Sequence, residues 1–311
     1  MIDPTPPHRG RTTVRAAYAS IAVATLVFGL NPSLFRMVDL DVPTILWCVN
    51  GITVAALLLK LAVFGGLGRL LTARRRPWEL LGLVFATTVN NILFIAAVQQ
   101  TTVANATLSH YCAPIFVLLL GTVVVGERIG RRSLASLAIA FLGLAIMVAP
   151  HKLTLADQHV VGILLGTSSA LFFALEILLK KRLRSSLDAE VIVVLYVLGS
   201  AIVLTPFASP ERLADVGARG LASLFVSGVV VSAVGLAVFM RGLRHVPAQK
   251  AAIIGYLEPL SGIAWGAILV LDFPDVGAMV GGAAILVAIW ITIAGPRAGR
   301  AGPQADRCRA A

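Results

Sequence analysis

The chain is poor in charge. Of its 311 residues only 13% are Asp, Glu, Lys or Arg, and 58% are hydrophobic. A soluble domain carries about 25% charged residues. Too little polar surface remains to coat a globule in water, which excludes an ordinary soluble enzyme. Acidic residues are the scarcest charge, 15 against 26 basic ones, for a net charge of +11. In a soluble protein that excess would point to nucleic acid. Here the basic residues cluster between apolar runs, the pattern of membrane loops facing an anionic leaflet, so no nucleic-acid partner is expected. Cysteine is rare too. Cys48, Cys112 and Cys308 form no metal or disulfide spacing, and the first two read as small core residues. No G-x-x-x-x-G-K-[ST] loop occurs, so any uphill work must draw on a gradient and not on nucleotide hydrolysis. A Gly-x-Ser-Gly turn for hydrolysis within the membrane is also missing, since Ser261-Gly262 follows Pro259-Leu260. The expectation is no enzyme, no cofactor and no metal. The first apolar run is full length with no cleavage pattern after it, so a removable signal peptide is not expected.

What the chain does have is length of apolar run. A spanning helix needs about 20 mostly apolar residues, and ten stretches qualify: 16–38, 43–65, 79–99, 105–125, 133–148, 160–180, 189–207, 221–243, 249–271 and 276–294. None alternates as a barrel strand would, and lipid offers the backbone no water, so the expected class is an all-α integral membrane protein of ten transmembrane helices. Loops on the side of both termini hold 21 Lys and Arg, against 4 on the other side. Lys60 can snorkel from the second span. The positive-inside rule therefore predicts both termini in the cytoplasm, in the cell (inner) membrane.

The chain repeats itself. A shift of 145 residues aligns Phe28 with Phe173, Leu30 with Leu175, Phe94 with Phe239, Tyr111 with Tyr256, Pro114 with Pro259, Gly121 with Gly266 and Glu127 with Asp272. Each half holds five spans, an odd number, so the second copy must enter the membrane upside down. Inverted repeats of this kind build secondary transporters, with the substrate site between the halves near the midplane. The expected division is a cytoplasmic tail 1–14, a first repeat 15–150, a second repeat 159–295 and a disordered cytoplasmic tail 296–311.

At this point the residues resemble a known family. The segment Tyr111-Cys112-Ala113-Pro114 … Gly126-Glu127, then a basic turn and a small-residue helix, is similar to the EamA-type repeat of the drug/metabolite transporter superfamily. The second copy, Tyr256-Leu257-Glu258-Pro259 … Leu271-Asp272, is similar to it as well, as is Phe94…Ala97 ahead of the first copy. The resemblance covers roughly residues 15 to 295. It implies a ten-helix bundle with spans 1, 3, 4, 6, 8 and 9 around a cavity, and spans 5 and 10 at the rim. Two departures stand out: Asp272 where Glu is usual, and Phe28 where the first span often carries Trp.

Ionisable residues inside spans are the sharpest functional signals, because a charge at midplane costs roughly 2.5–3.5 kcal/mol on insertion scales unless paired or solvated. Glu258 stands beside Pro259, which cannot donate to the Gly255 carbonyl and so is expected to leave it free. The acid reads equally as a contact for substrate or proton and as a protonated hydrogen-bond donor. Glu176 precedes Lys180 by one turn, so an i,i+4 ion pair accounts for it. The repeat places Asn31, next to Pro32, at the matching position, which argues for a cavity role. His110 could carry a proton or rest neutral in the core. Tyr111 and Tyr256 could frame a gate or simply pack. Asn90 and Asn91, one turn after Thr87 and Thr88, are expected to avoid lipid, as ligands or as interhelical hydrogen bonds. Glu127 and Asp272 look structural, each at the positive end of the following helix. Gly277-x-x-x-Gly281 allows close approach of another helix, the fifth span through Ser136 and Ala140, or a second copy of the chain.

The sequence reads as a secondary carrier working by alternating access. Its substrate-binding residues are Asn31, Asn90, Asn91, His110, Tyr111, Glu176, Tyr256 and Glu258. The partners are a small-molecule substrate, the lipid bilayer and protons exchanged at Glu258, with monomer and homodimer both open. The resemblance implies export of a small metabolite, amino acids or their relatives first. Two other classes stay open: a lipid flippase or scramblase, and a non-transporting membrane scaffold.

Overall fold

The computed structural model describes residues 8–101, 103–147, 157–269 and 276–294, and among these every regular element is helical. Lys152, Asp272, Cys308, the last residues of the fifth and ninth predicted spans and the tail from 296 lie outside the described residues. Nine of the described helical stretches are long and apolar enough to cross a bilayer. The chain is a multi-pass membrane protein. Its surface is apolar in the way lipid requires: Leu59, Phe64, Phe85, Val123 and Trp290 are all exposed.

The fifth predicted span is the exception. Its helix, Arg131–Met147, has 17 residues, about 26 Å at 1.5 Å per residue, short of a hydrocarbon core of about 30 Å.

Three predicted spans are interrupted at their polar residues. The first divides into α1 (His8–Phe28) and α2 (Asn31–Phe35), with Pro32 in the first turn of α2 where its missing N–H is no loss. After α3 (Val42–Val63) and α4 (Pro77–Gln100), the fourth divides into α5 (Val103–His110) and α6 (Ala113–Val124) at Tyr111-Cys112, again with proline in the first turn of the second piece. Beyond α7 (Arg131–Met147), α8 (Asp157–Leu183) and α9 (Ala189–Leu204) come α10 (Ala218–Val226), a wider π-helical stretch Ser227–Gly235, and α11 (Leu236–Leu243). The ninth divides into α12 (Ala248–Ile254) and α13 (Leu257–Leu269), and α14 (Val276–Ala294) ends the described chain. Here the expected free carbonyl is corrected. Gly255 C=O accepts from the N–H of Glu258 at 2.9 Å, because the turn tightens to an i,i+3 bond where proline forbids the helical one.

Packing follows small residues. The most extensive pairs are α4 on α8 and α7 on α14. The α7–α14 contact joins the expected partners and is closest where Gly143 faces Gly281 of the predicted motif: a methyl on Gly143 would sit 2.7 Å from Gly281 O. Ser136 and Ala140 are fully buried on the same face of α7. A second close approach fixes the break after α1. A methyl on Gly29 would lie 2.6 Å from Glu258 O and 2.7 Å from Gly262 N, so only glycine lets α13 reach this turn.

Glu127 is structural, though not at the helix that follows it. Its carboxylate accepts from the N–H groups of Ala248 at 2.6 Å and Gln249 at 3.2 Å, capping α12 in the other half of the chain. Lys181 does the converse, donating to the carbonyl of Leu243 at 2.7 Å, the last residue of α11, and to that of Val246 at 2.5 Å just beyond it. Asp41 caps α3 by accepting from Thr44 N–H at 2.9 Å. Burial alone would raise its carboxyl pKa, but the Thr44 amide and hydroxyl and the Arg212 charge more than offset this and hold it below the usual aspartate value.

Candidate functional site

The interrupted helices meet around an interior cavity of about 270 Å³. Pockets that hold small molecules run from about 300 Å³ upward, so this one is sized for a small ligand. Six of the eight sequence-predicted residues line it: Asn31, Asn90, Asn91, Tyr111, Glu176 and Glu258. The breaks explain their convergence. Asn31 begins α2, Tyr111 sits between α5 and α6, and Glu258 opens α13, each where the chain restarts beside a proline.

The other two stand behind the wall. His110 Nδ1 lies 2.8 Å from Ser169 Oγ, and its ring is packed among Phe94 (4.6 Å between centroids), Phe173 (5.1 Å) and Tyr111 (5.7 Å). Tyr256 is fully buried and donates its hydroxyl to the Tyr111 carbonyl at 2.8 Å, with the two rings stacked at 6.0 Å. Their aromatic bulk keeps them in the packing layer, where Tyr256 ties one helix break to the other.

Several lining residues escaped the sequence reading. Lys180 ends the sixth span in sequence, which suggests a cytoplasmic rim, yet it is 5% exposed and lines the cavity. Its ammonium donates to Glu176, and it lies 4.4 Å from the centre of the Tyr196 ring. The expected i,i+4 pair and the cavity position are therefore both present. Asn50 and Tyr196, on α3 and α9, also line the cavity, so the second and seventh spans join the six that the resemblance implied. α7 and α14 contribute nothing to it.

Polar groups around the cavity fall into two sets. Some are satisfied: Ser227 donates to Asn31 Oδ1 at 2.6 Å, and Asn50 Nδ2 approaches Ser200 Oγ at 3.5 Å. Others are not. Asn90 Oδ1 and Thr87 Oγ1 are buried without a hydrogen-bond partner. Burying such a group unpaired costs about 1–3 kcal/mol, and native proteins keep few of them without a reason. The rest of the wall is apolar and aromatic, with Phe28 and Phe239 in contact at 5.9 Å. An enclosure of this composition can hold a small amphipathic molecule between rings and polar groups; no group of three or more metal-ligating side chains occurs among the described residues.

Comparison with known proteins is consistent with this layout. The chain is 33% identical over 214 residues to an uncharacterized transporter of Archaeoglobus fulgidus, covering 68% of this chain and 75% of that one. It is 25% identical over 197 residues to the pseudopaline exporter CntI of Pseudomonas aeruginosa, covering 63% and 68%. A probable amino-acid metabolite efflux pump of Salmonella typhimurium is 22% identical over 198 residues, covering 60% and 65%. A solved crystal structure superposes with a TM-score of 0.76 at 15% identity, covering 89% of this chain and 96% of that one, which is a likeness of fold. The model of the EamA-like transporter family matches twice, over residues 15–149 and 160–294. With both halves matched, the chain belongs to the EamA-like transporter family.

Proposed function

We propose that the protein is a secondary carrier that exports a small metabolite, amino acids or their relatives first, by alternating access. The observation that carries this reading is the cavity itself: unpaired polar groups, a buried Asn90 and a half-buried Glu258 foremost, gathered where three interrupted helices meet. Lipid-facing or purely structural positions would not retain them.

In this reading α7 is the fifth of ten spans, and two five-helix halves (15–150 and 159–295) lie inverted about the cavity. The packing supports it. α4 on α8 in one pairing is matched by α11 on α1 in the other, as a 145-residue shift requires, while α3 pairs with its own counterpart α9 and α7 with α14. Both termini face the cytoplasm of the inner membrane, in keeping with the loop charges. The exporter and efflux names of two relatives support the outward direction.

Glu258 couples the cycle to protons. When protonated it can cross between the two accesses unloaded; when ionised it waits for substrate. The charged and titratable groups around the same cavity are Glu176, Lys180, Tyr111 and Tyr196, and the first two neutralise each other. Proteoliposomes test this with a metabolite panel under an imposed pH gradient. Wild-type flux should follow the gradient, and Glu258→Gln should abolish that dependence. Flux through Glu258→Gln that still tracks the gradient would eliminate proton exchange at this residue, and no flux of any metabolite would eliminate the carrier.

A further inference from the structure

The wall of the cavity is lopsided in charge. Three lining residues bear a carboxyl or amino group: Glu176, Lys180 and Glu258. Lys180 is bracketed, with the Glu176 carboxylate as its hydrogen-bond acceptor and the Tyr196 ring 4.4 Å from its ammonium. That corner is neutral within itself, and its single cation is occupied. Glu258 has no such counterpart. Among the described residues no side chain ion-pairs or hydrogen-bonds with its carboxylate.

The neutral polar groups lean the same way. Asn90 Oδ1 is an acceptor with nothing to accept from, and Thr87 Oγ1, one turn away on α4, is also unpaired. Both are more than nine-tenths buried, Asn90 6% exposed and Thr87 7%, and both line this cavity. The remaining wall includes the rings of Phe28, Phe173 and Phe239. The face of an aromatic ring is negative and attracts a cation within about 6 Å of its centre. An unpaired carboxylate, an unpaired amide oxygen and aromatic faces together select one kind of ligand.

We infer that the cargo is recognised through a protonated amine, seated between Glu258 and the acceptors on α4, with its apolar body against the phenylalanines. A carboxylate on the cargo finds no free cation among the described residues of the cavity wall and adds nothing to recognition. This rests on the carrier reading and sharpens it. Amines stripped of the acid are cargo as good as the amino acids themselves, and acids stripped of the amine are not cargo.

The test uses the purified full chain in lipid nanodiscs and molecules of one body shape. One set is phenylethylamine, phenylalanine and phenylpropanoate; the other is isopentylamine, leucine and isocaproate. Binding is read by the rise in melting temperature and by competition within each set. The amine and the amino acid should each stabilise the protein and displace one another, while the acid does neither. Glu258→Gln, close to isosteric, should weaken the amine about tenfold or more, and Thr87→Val should weaken it less, since a bond to a charged group is worth more than a neutral one. If Glu258→Gln fails to fold, Glu258→Asp keeps the charge, shortens its reach and should lower amine affinity alone. An acid that binds as tightly as its amine, or an amine indifferent to both Glu258 and Thr87, overturns the inference while leaving a carrier with an occupied cavity. No binding from either set also overturns it, and the carrier reading falls with it only if the metabolite panel in proteoliposomes shows no flux.

Discussion

Glu176 and Lys180 are one turn apart on α8, both nearly sealed from solvent and joined by a hydrogen bond beside the Tyr196 ring. A buried pair of this kind matters most when it is broken. Removing one member leaves the other charge uncompensated, at a cost of about 3–5 kcal/mol, whereas replacing both by apolar residues of similar volume is often neutral. Glu176→Ala should therefore lower the unfolding free energy in detergent by about 3–5 kcal/mol, and Glu176→Leu with Lys180→Met should recover most of that loss. Equal destabilisation by the single and double variants would show that the pair's charge balance is not what holds α8. The sequence made Glu176, Glu258, Asn31 and Asn90 visible, because polar residues are few inside apolar runs. Lys180 was hidden. A lysine at the end of a span reads as a rim residue, and only the packing of α8 against its neighbours turns it inward.

At the scale of elements, helix contacts depend on glycines that admit a neighbour's backbone. Gly143 on α7 faces Gly281 on α14 so closely that a methyl at Gly143 would lie 2.7 Å from the Gly281 carbonyl. Lipid tails are as apolar as leucine, so close backbone packing and not solvent exclusion holds such helices together. Gly143→Val should cost about 1–3 kcal/mol, the usual penalty of overpacking, measured as a lower melting temperature in detergent. A methyl on Gly51 would meet nothing within 4 Å, so Gly51→Ala should leave the melting temperature unreduced. The spacing Gly277-x-x-x-Gly281 pointed to the right helix pair and includes the contacting glycine, Gly281, but it did not name Gly143 across from it, since spacing marks a face and the packing of the two helices decides which residues touch. The helix breaks were legible only as prolines. Pro32, Pro114 and Pro259 announce a defect, but whether a helix bends or restarts depends on what backs it, and Gly29 against Glu258 O is a contact between the two halves of the chain.

For the whole molecule, the loop charges make a prediction about sidedness. Single cysteines placed at Arg75 and Arg132, in a variant lacking Cys48, Cys112 and Cys308, should be shielded from an impermeant maleimide in intact cells. Cysteines at Arg36 and Arg212 should react. Arg75 and Arg132 on opposite sides would contradict both the positive-inside reading and the inverted repeat, because an even number of crossings, α4 with the α5–α6 span, separates them. The expectation of sidedness comes from composition, because each cluster of arginines resists crossing the bilayer independently of how the helices later pack.

Class, approximate spans and the presence of a repeated unit were determined by the amino-acid sequence alone, through quantities that add up along the chain: transfer of apolar side chains into lipid, clustering of cations between the apolar runs, and residue identity at a constant offset. The cavity was decided only by tertiary structure. Which acceptors stay unpaired, which cation is already neutralised and which aromatic rings line the wall depend on how each helix is rotated about its axis. Those rotations are fixed by contacts between residues more than a hundred positions apart, such as Tyr256 with Tyr111 and Glu127 with Ala248.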